Sequence, residues 1–116
     1  KSKDIDQDLL RMAEIFPYSA VEITLLYIPV GTSAEAKLLG EKAIEMKLAA
    51  CANLFPIDSV FQWLGAIQHE KEFVLILKTL PSLKLSLQEW VKSAHTYEVP
   101  CIISWEVDVN DGMANG

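Results

Sequence analysis

Two β-patterned runs lie back to back in the middle of this chain. "ACANLF" (residues 50–55) and "SVFQWL" (residues 59–64) make the first, with Pro56 breaking it, and "EFVLILKTL" (residues 72–80) makes the second. Gly65 and a short polar segment stand between them. Two such runs with a glycine between them are expected to fold back as a long hairpin. A proline inside a strand confines it to a sheet edge or a bend. This long central hairpin limits the architectures open to the chain, because each flank supplies one further strand pattern and one helix pattern.

Upstream, "VEITLLYI" (residues 21–28) is β-branched and apolar and reads as a buried strand, ended by Pro29 and Gly31. Thr32 followed three residues later by Glu35 has the spacing of a capping box. The helix it opens is expected to turn Ala36, Leu39, Ala43, Ile44 and residues 46–48 inward and its lysines and glutamates outward. Gly40 within it costs about 1 kcal/mol relative to alanine, which suggests close packing on the sheet. Downstream, "PSLKLSLQEWVKSAH" (residues 81–95) is a second helix opened by Pro81 and Ser82, with Leu83, Leu87, Trp90, Val91 and Ala94 as its buried stripe. "PCIISWEV" (residues 100–107) is the last strand.

The order β-α-β-β-α-β specifies an α+β, ferredoxin-like antiparallel sheet with both helices on one face and a long central hairpin. Residues 21–112 form that domain. Residues 1–20 are expected to be an N-terminal extension with a short amphipathic helix over 4–16, and residues 113–116 a tail.

A chain of 116 residues, 51% of them hydrophobic, has material for one domain with a real core. Its net charge is −6 and Arg11 is its one arginine. That balance argues against nucleic acid, which needs clustered basic residues, and against an anionic membrane surface. Apolar runs fall far short of the ~20 residues of a membrane span, so no direct membrane insertion is expected. Cys51 and Cys101 stand fifty residues apart with no CxxC motif. Two free thiols in a reducing, cytoplasmic compartment fit this better than a disulfide framework.

Chemistry-bearing residues concentrate in "HTYEVP" (residues 95–100). His95 at a helix C-terminus faces the negative end of the dipole, which favours imidazolium, and Val99-Pro100 sets extended geometry for the strand that follows. A structural connection braced by Tyr97 and Glu98 is one reading. In the other, His95 and Cys101 are soft ligands for copper or another divalent metal such as zinc, with Glu98 in support and His69 as a remaining donor. Two or three ligands are too few for a closed site, so more would come from elsewhere in the fold or from another subunit. A Cys51–His95 catalytic pair finds little support, since Cys51 opens a buried strand. No GxSxG, P-loop, GxGxxG or HExxH motif is present. Glu70 and Glu72 around Lys71 read as the charged flank of a turn. Phe61 and Trp63 lie near the hairpin tip, where a small sheet cannot cover them, and mark an interface or cleft together with Tyr97.

Several stretches together resemble one family: Leu48-Ala49-Ala50-Cys51-Ala52-Asn53, Trp63-x-Gly65-x-Ile67, Leu77-Lys78-Thr79 and His95-x-Tyr97-Glu98-Val99-Pro100. They are similar to the CutA family of divalent-cation-tolerance proteins over about residues 22–112. The resemblance implies a ferredoxin-like fold assembled as a homotrimer, with long strands pairing across subunits and an architecture like that of the PII signalling proteins. It implies a non-enzymatic role in divalent-metal tolerance, with copper binding often inferred, and a protein partner in some members. The alternative it leaves is a metal-independent trimeric scaffold or PII-like module that binds a protein or small molecule in clefts between subunits. This chain departs from the family pattern in several places, among them Cys101, which follows Val99-Pro100 where the family often has a glutamate. Phe61-Gln62-Trp63 replaces a Tyr-x-Trp, Thr96 replaces a proline, and Tyr27-Ile28-Pro29-Val30-Gly31 offers neither cysteine nor carboxylate after the first strand.

Overall fold

The computed structural model describes residues 22–108. The expected N-terminal helix at 4–16, the outer limits of the domain and the tail at 113–116 lie outside the described residues. Strand β1 (Glu22–Val30), helix α1 (Ser33–Glu45), strands β2 (Cys51–Trp63) and β3 (Ala66–Thr79), helix α2 (Lys84–Ala94) and strand β4 (Ile103–Asp108) follow in that order. The four strands form one sheet in the order β2-β3-β1-β4, and every neighbouring pair is antiparallel. This is the ferredoxin-like α+β fold read from the sequence.

One face of the sheet carries the core. Leu26, Ile28 and Val30 of β1 and Leu75 and Leu77 of β3 pack against Leu39 and Ala43 of α1 and Leu87 and Val91 of α2. Gly40 lets α1 lie close on β2, because a Cβ built there would stand 2.8 Å from the Cβ of Ala52. Thr32 caps α1 by accepting the amide of Glu35 at 3.1 Å. The helix ends earlier than expected. Lys47 takes a positive φ of 61°, and the amides of Lys47 and Leu48 bond back to the carbonyls of Ile44 and Ala43 at 3.0 and 2.9 Å. That double bond pattern is a Schellman motif. It turns Met46 outward, 51% exposed, rather than into the core. Residues 81–83 form a 3₁₀ turn before α2, and the side chain of Ser82 does not cap that helix. Within the expected stripe of α2, Leu87 and Val91 are buried, Leu83 and Trp90 half-buried, and Ala94 exposed.

Both prolines expected to interrupt strands lie inside them. Pro29 pairs with Val74 within β1, and Pro56 pairs with Phe73 within β2. Strand β4 begins only at Ile103, so β1 has no β4 neighbour beyond Tyr27 and Pro29 sits beside an open stretch of edge. Strand β2 is itself an edge strand. At an edge the missing N–H of proline can face the open side without costing a ladder bond.

The hairpin turns through Leu64 and Gly65, at φ 52° and 81°. Two central residues of positive φ are the signature of the two-residue turn that matches strand twist. β1 covers β3 only as far as Phe73, so Ile57–Trp63 and Ala66–Glu72 run on as a two-stranded ribbon. At ~3.3 Å per residue that ribbon projects roughly 20 Å beyond the body, which accounts for the 50 × 28 × 23 Å extents. No helix among the described residues is long and apolar enough to cross a membrane.

Candidate functional site

Between α2 and β4, residues 95–102 form a strap that crosses the open end of β1. His95 ends α2, with its amide bonded to the carbonyl of Val91 at 2.8 Å. Its side chain then turns inward and is wholly buried. Ring Nε2 lies 2.8 Å from the carbonyl oxygen of Pro29. A carbonyl only accepts, so Nε2 carries the proton and donates. Ring Nδ1 accepts the amide of Tyr97 at 3.0 Å. His95 thereby supplies the bond that a fourth strand would have made to Pro29, and these contacts rather than the helix dipole set its place.

Glu35 holds the strap from the first turn of α1. Its Oε2 accepts the amide and the hydroxyl of Thr96 at 3.2 and 2.8 Å and lies 3.7 Å from His95 Nδ1. The capping box is therefore half of what the spacing suggests: Glu35 gives its amide to Thr32 and its carboxylate to Thr96. Tyr97 stacks at a tilt on His95, ring centroids 4.6 Å apart. Its hydroxyl reaches Glu72 Oε2 at 2.6 Å, and the other oxygen of Glu72 accepts Ser59 at 2.6 Å. Burial, first, and then the hydrogen bond to Glu72 and the charges of Glu72, Glu70 and Glu35 hold the Tyr97 phenol well above its ordinary range.

Glu70 and Glu72 are not the flank of a turn. They lie within β3, on the face opposite Lys71, which pairs with Asp58 at 2.8 Å across the ribbon. That exposed contact lowers the Asp58 carboxyl and raises the Lys71 amine, through hydrogen bond first and charge second. His69 is exposed on the ribbon. Cys51 is buried and Cys101 exposed, and neither is in a disulfide among the described residues.

Of the residues expected to hold a metal, His95, Glu98 and Cys101 lie in the strap and His69 lies apart on the ribbon, so one chain does not gather them. Among the described residues no three His, Cys, Asp or Glu side chains are grouped to hold a metal ion. Glu98 and Cys101 are exposed. His95 is buried with both ring nitrogens engaged, and would have to give up Pro29 or Tyr97 to accept a metal. The described residues of a single chain thus do not make a complete copper or zinc site. What the strap does chemically is hold position: it fixes Tyr97 across β1 onto β3.

Phe61 and Trp63, 37% and 61% exposed, lie on the sheet face that carries no helix. Register places Phe55, Ile103 and Trp105 on that same face, at 41%, 48% and 41% exposure. Tyr97 reaches its margin through Glu72. The alternation in "ISWEVD" carried the signal for Ile103 and Trp105, since residues two apart in a strand share a face. Glu35 and Glu72 carried none, because each meets the strap only through the fold.

The CutA1 divalent ion tolerance protein family model matches residues 11–114, reaching back into the segment expected to lie outside the domain. The divalent-cation tolerance protein CutA of Archaeoglobus fulgidus is 37% identical over 83 residues, 72% of this chain and 81% of that protein. Protein CutA of Mus musculus is 34% identical over 78% of this chain, and this chain spans about half of it, 52%. The structure of CutA from Synechococcus elongatus superposes with a TM-score of 0.76 at 33% identity, covering 80% of this chain and 83% of that one. With the family model spanning nearly the whole chain and the relatives sharing its fold, this chain belongs to the CutA1 divalent ion tolerance family.

Proposed function

We propose that this protein acts without catalysis in the response to divalent cations, as a closed ring of three copies. The observation that carries the reading is the helix-free face of the sheet. Phe55, Phe61, Trp63, Ile103 and Trp105 are bare on it, and an apolar face of that breadth marks an interaction surface. Among the described residues its two edge strands are β2 and β4. Because each neighbouring pair is antiparallel, β4 runs opposite to β2. The β2 edge of a second copy can therefore continue the alternation beyond β4. Such a head-to-tail contact closes into a ring when the rotation closes. The ring would hold the helix-free faces inward and leave no free edge. The projecting ribbon favours the same outcome, since two strands alone are marginal in water.

In this reading copper or another divalent cation binds the assembled protein with ligands from more than one copy. Cys101 and Glu98 are the accessible donors of the strap, and His95 joins them only by releasing one of its two hydrogen bonds. Native mass spectrometry under reducing conditions, with and without copper, tests both parts. A trimer taking up tightly held copper supports the reading. A trimer that stays free of metal favours the second reading, a scaffold or PII-like module with clefts between copies near Tyr97 and Trp63. The complete hydrogen bonding of the His95 ring is the observation on that side. A monomer removes both.

A further inference from the structure

Three residues that the sequence pattern assigns to the core stay out of it: Met46 and Ala94 are exposed and Trp90 is half-buried. All three border one groove, between α1 and α2. Along α1, Glu35 reaches the strap at Thr96, and Leu38, Lys42 and Met46 follow it on the same flank at helical spacing. The opposite flank, with Lys37, Glu41 and Ile44, faces Ala52 and Leu54 of β2 across a separate cleft. Along α2, Gln88 turns to β4 and donates to Ser104 at 3.3 Å, so Trp90, two residues on, faces α1. Leu38 is 54% exposed, and the small side chains of Ser86, Ser93 and Ala94 are exposed around Trp90. Leu38, Met46 and Trp90 thus form an apolar line that the described residues leave open on the outer side.

Topology brings one segment of the chain to the mouth of this groove. α1 packs on β2, where Gly40 meets Ala52, and α2 is tied to β4. β1 lies between those strands in the sheet and so runs beneath the groove. Its first residue, Glu22, pairs with Asp108, and Thr24 pairs with Thr79. That is the end of the sheet where α1 finishes and where α2 begins after β3. Residues 17–21 can span about 17 Å when extended, enough to turn the end of the sheet and reach the helix layer. Before them, Ile5, Leu9, Met12 and Phe16 share one helical face in the sequence. At 1.5 Å per residue that stripe is about 16 Å long, against about 12 Å from Leu38 to Met46. Asp6 and Asp8 stand beside the stripe, and α1 places Lys42 between Leu38 and Met46, with Glu45 further out. The charges next to the two apolar lines are therefore opposite in sign.

We infer that residues 4–16 form a further helix that seats Leu9, Met12 and Phe16 in the groove between α1 and α2 of the same copy, over Leu38, Trp90 and Met46. A helix of this length is marginal alone in water and takes its stability from an apolar surface. Phe16 then lies at the mouth beside Met46 and Leu9 beside Leu38, so the added helix runs in the direction of α1. A ring with the helix-free faces inward leaves this groove on its outside, so the inference does not depend on the ring.

Methionine oxidation tests it. Dilute hydrogen peroxide converts an accessible thioether to the sulfoxide, and peptide mass reads the rate at Met46. In a Cys101→Ser background the chain is compared with its Leu9→Asp, Phe16→Asp variant. The expected result is that Met46 oxidises several-fold more slowly with residues 9 and 16 intact. Equal rates overturn the inference: both fast means an open groove, and both slow means that something else covers it. A cross-link guards against a variant that merely loosens the domain. In the same background, Leu9→Cys with Leu38→Cys should be joined by a short bismaleimide within one chain, at monomer mass on a denaturing gel. Leu9→Cys with Glu41→Cys, on the far flank of α1, should link much less. No link to residue 38, a link found only between chains, or equal linking to residue 41 each overturns the inference.

Discussion

The Tyr97 hydroxyl donates a 2.6 Å hydrogen bond to Glu72, and so joins the strap before β4 to β3 across the end of the strand between them. Tyr97→Phe removes that bond. A bond to a charged acceptor is worth about 1.5–3 kcal/mol, and partial exposure of this one puts the expected loss near the lower end. Chemical denaturation at neutral pH measures it.

The same contact gives a pH dependence with a definite sign. The folded state holds the Tyr97 phenol above its unfolded value. The protonated form is thus the one that folding favours, and its contribution is complete below about pH 10, the ordinary tyrosine value. It is lost as pH rises from there toward the folded value. The wild type should lose its stability advantage over Tyr97→Phe as the solution passes above about pH 10. Parallel denaturation midpoints of the two proteins between neutral and strongly alkaline pH check this, and curves that stay a constant distance apart would remove the coupling.

His95→Ala should destabilise the protein by about 2–4 kcal/mol. It empties a fully buried site and strands the carbonyl of Pro29 and the amide of Tyr97. Hydrogen exchange at the Tyr97 amide should quicken, while amides at the centre of β3 change less. Unchanged protection at Tyr97 would show that the strap is held by other means.

Gly40→Ala sets two effects of opposite sign against each other. The helix gains about 1 kcal/mol in propensity. The new methyl meets the Cβ of Ala52 at 2.8 Å, and overpacking of this kind costs about 1–3 kcal/mol. Because a Cβ cannot rotate away, the backbones must separate and the clash wins. Thermal unfolding should show a lower midpoint for Gly40→Ala, and Gly40→Ala with Ala52→Gly should recover part of it.

Trp105→Glu places a charge at the centre of the helix-free face. The single chain should keep its circular dichroism, because Trp105 packs against no helix, but sedimentation should show loss of the assembled species. Retention of the full assembly would mean that this face is not its interior.

The element order was legible because each run had a period of its own. β-Branched alternation marked the strands, and the stripe through Leu87 and Val91 marked α2. Boundaries were less legible where the deciding partner is distant in sequence. Pro29 stays in β1 because β4 has not yet begun beside it, and nothing near residue 29 says so. Met46 turns outward because Lys47 closes a Schellman motif without the glycine that usually announces one. The candidate site divides in the same way. "HTYEVP" announced itself by residue type, and Phe61 and Trp63 by their place near the tip. That His95 is closed to solvent, or that Tyr97 reaches Glu72, depends on pairings 25 to 66 residues apart, which local pattern does not encode.

Pro56 gives the outer edge of β2 a grammar. An uninterrupted edge of thirteen residues would accept any extended strand at many offsets. A residue without an amide hydrogen divides that edge into a stretch beside the body and a stretch along the ribbon, and a visiting strand cannot slide across the division without losing a bond. The proline thus works as a stop on a ruler: it tells an incoming strand where to begin, and makes the wrong partner or the wrong alignment weaker than the right one.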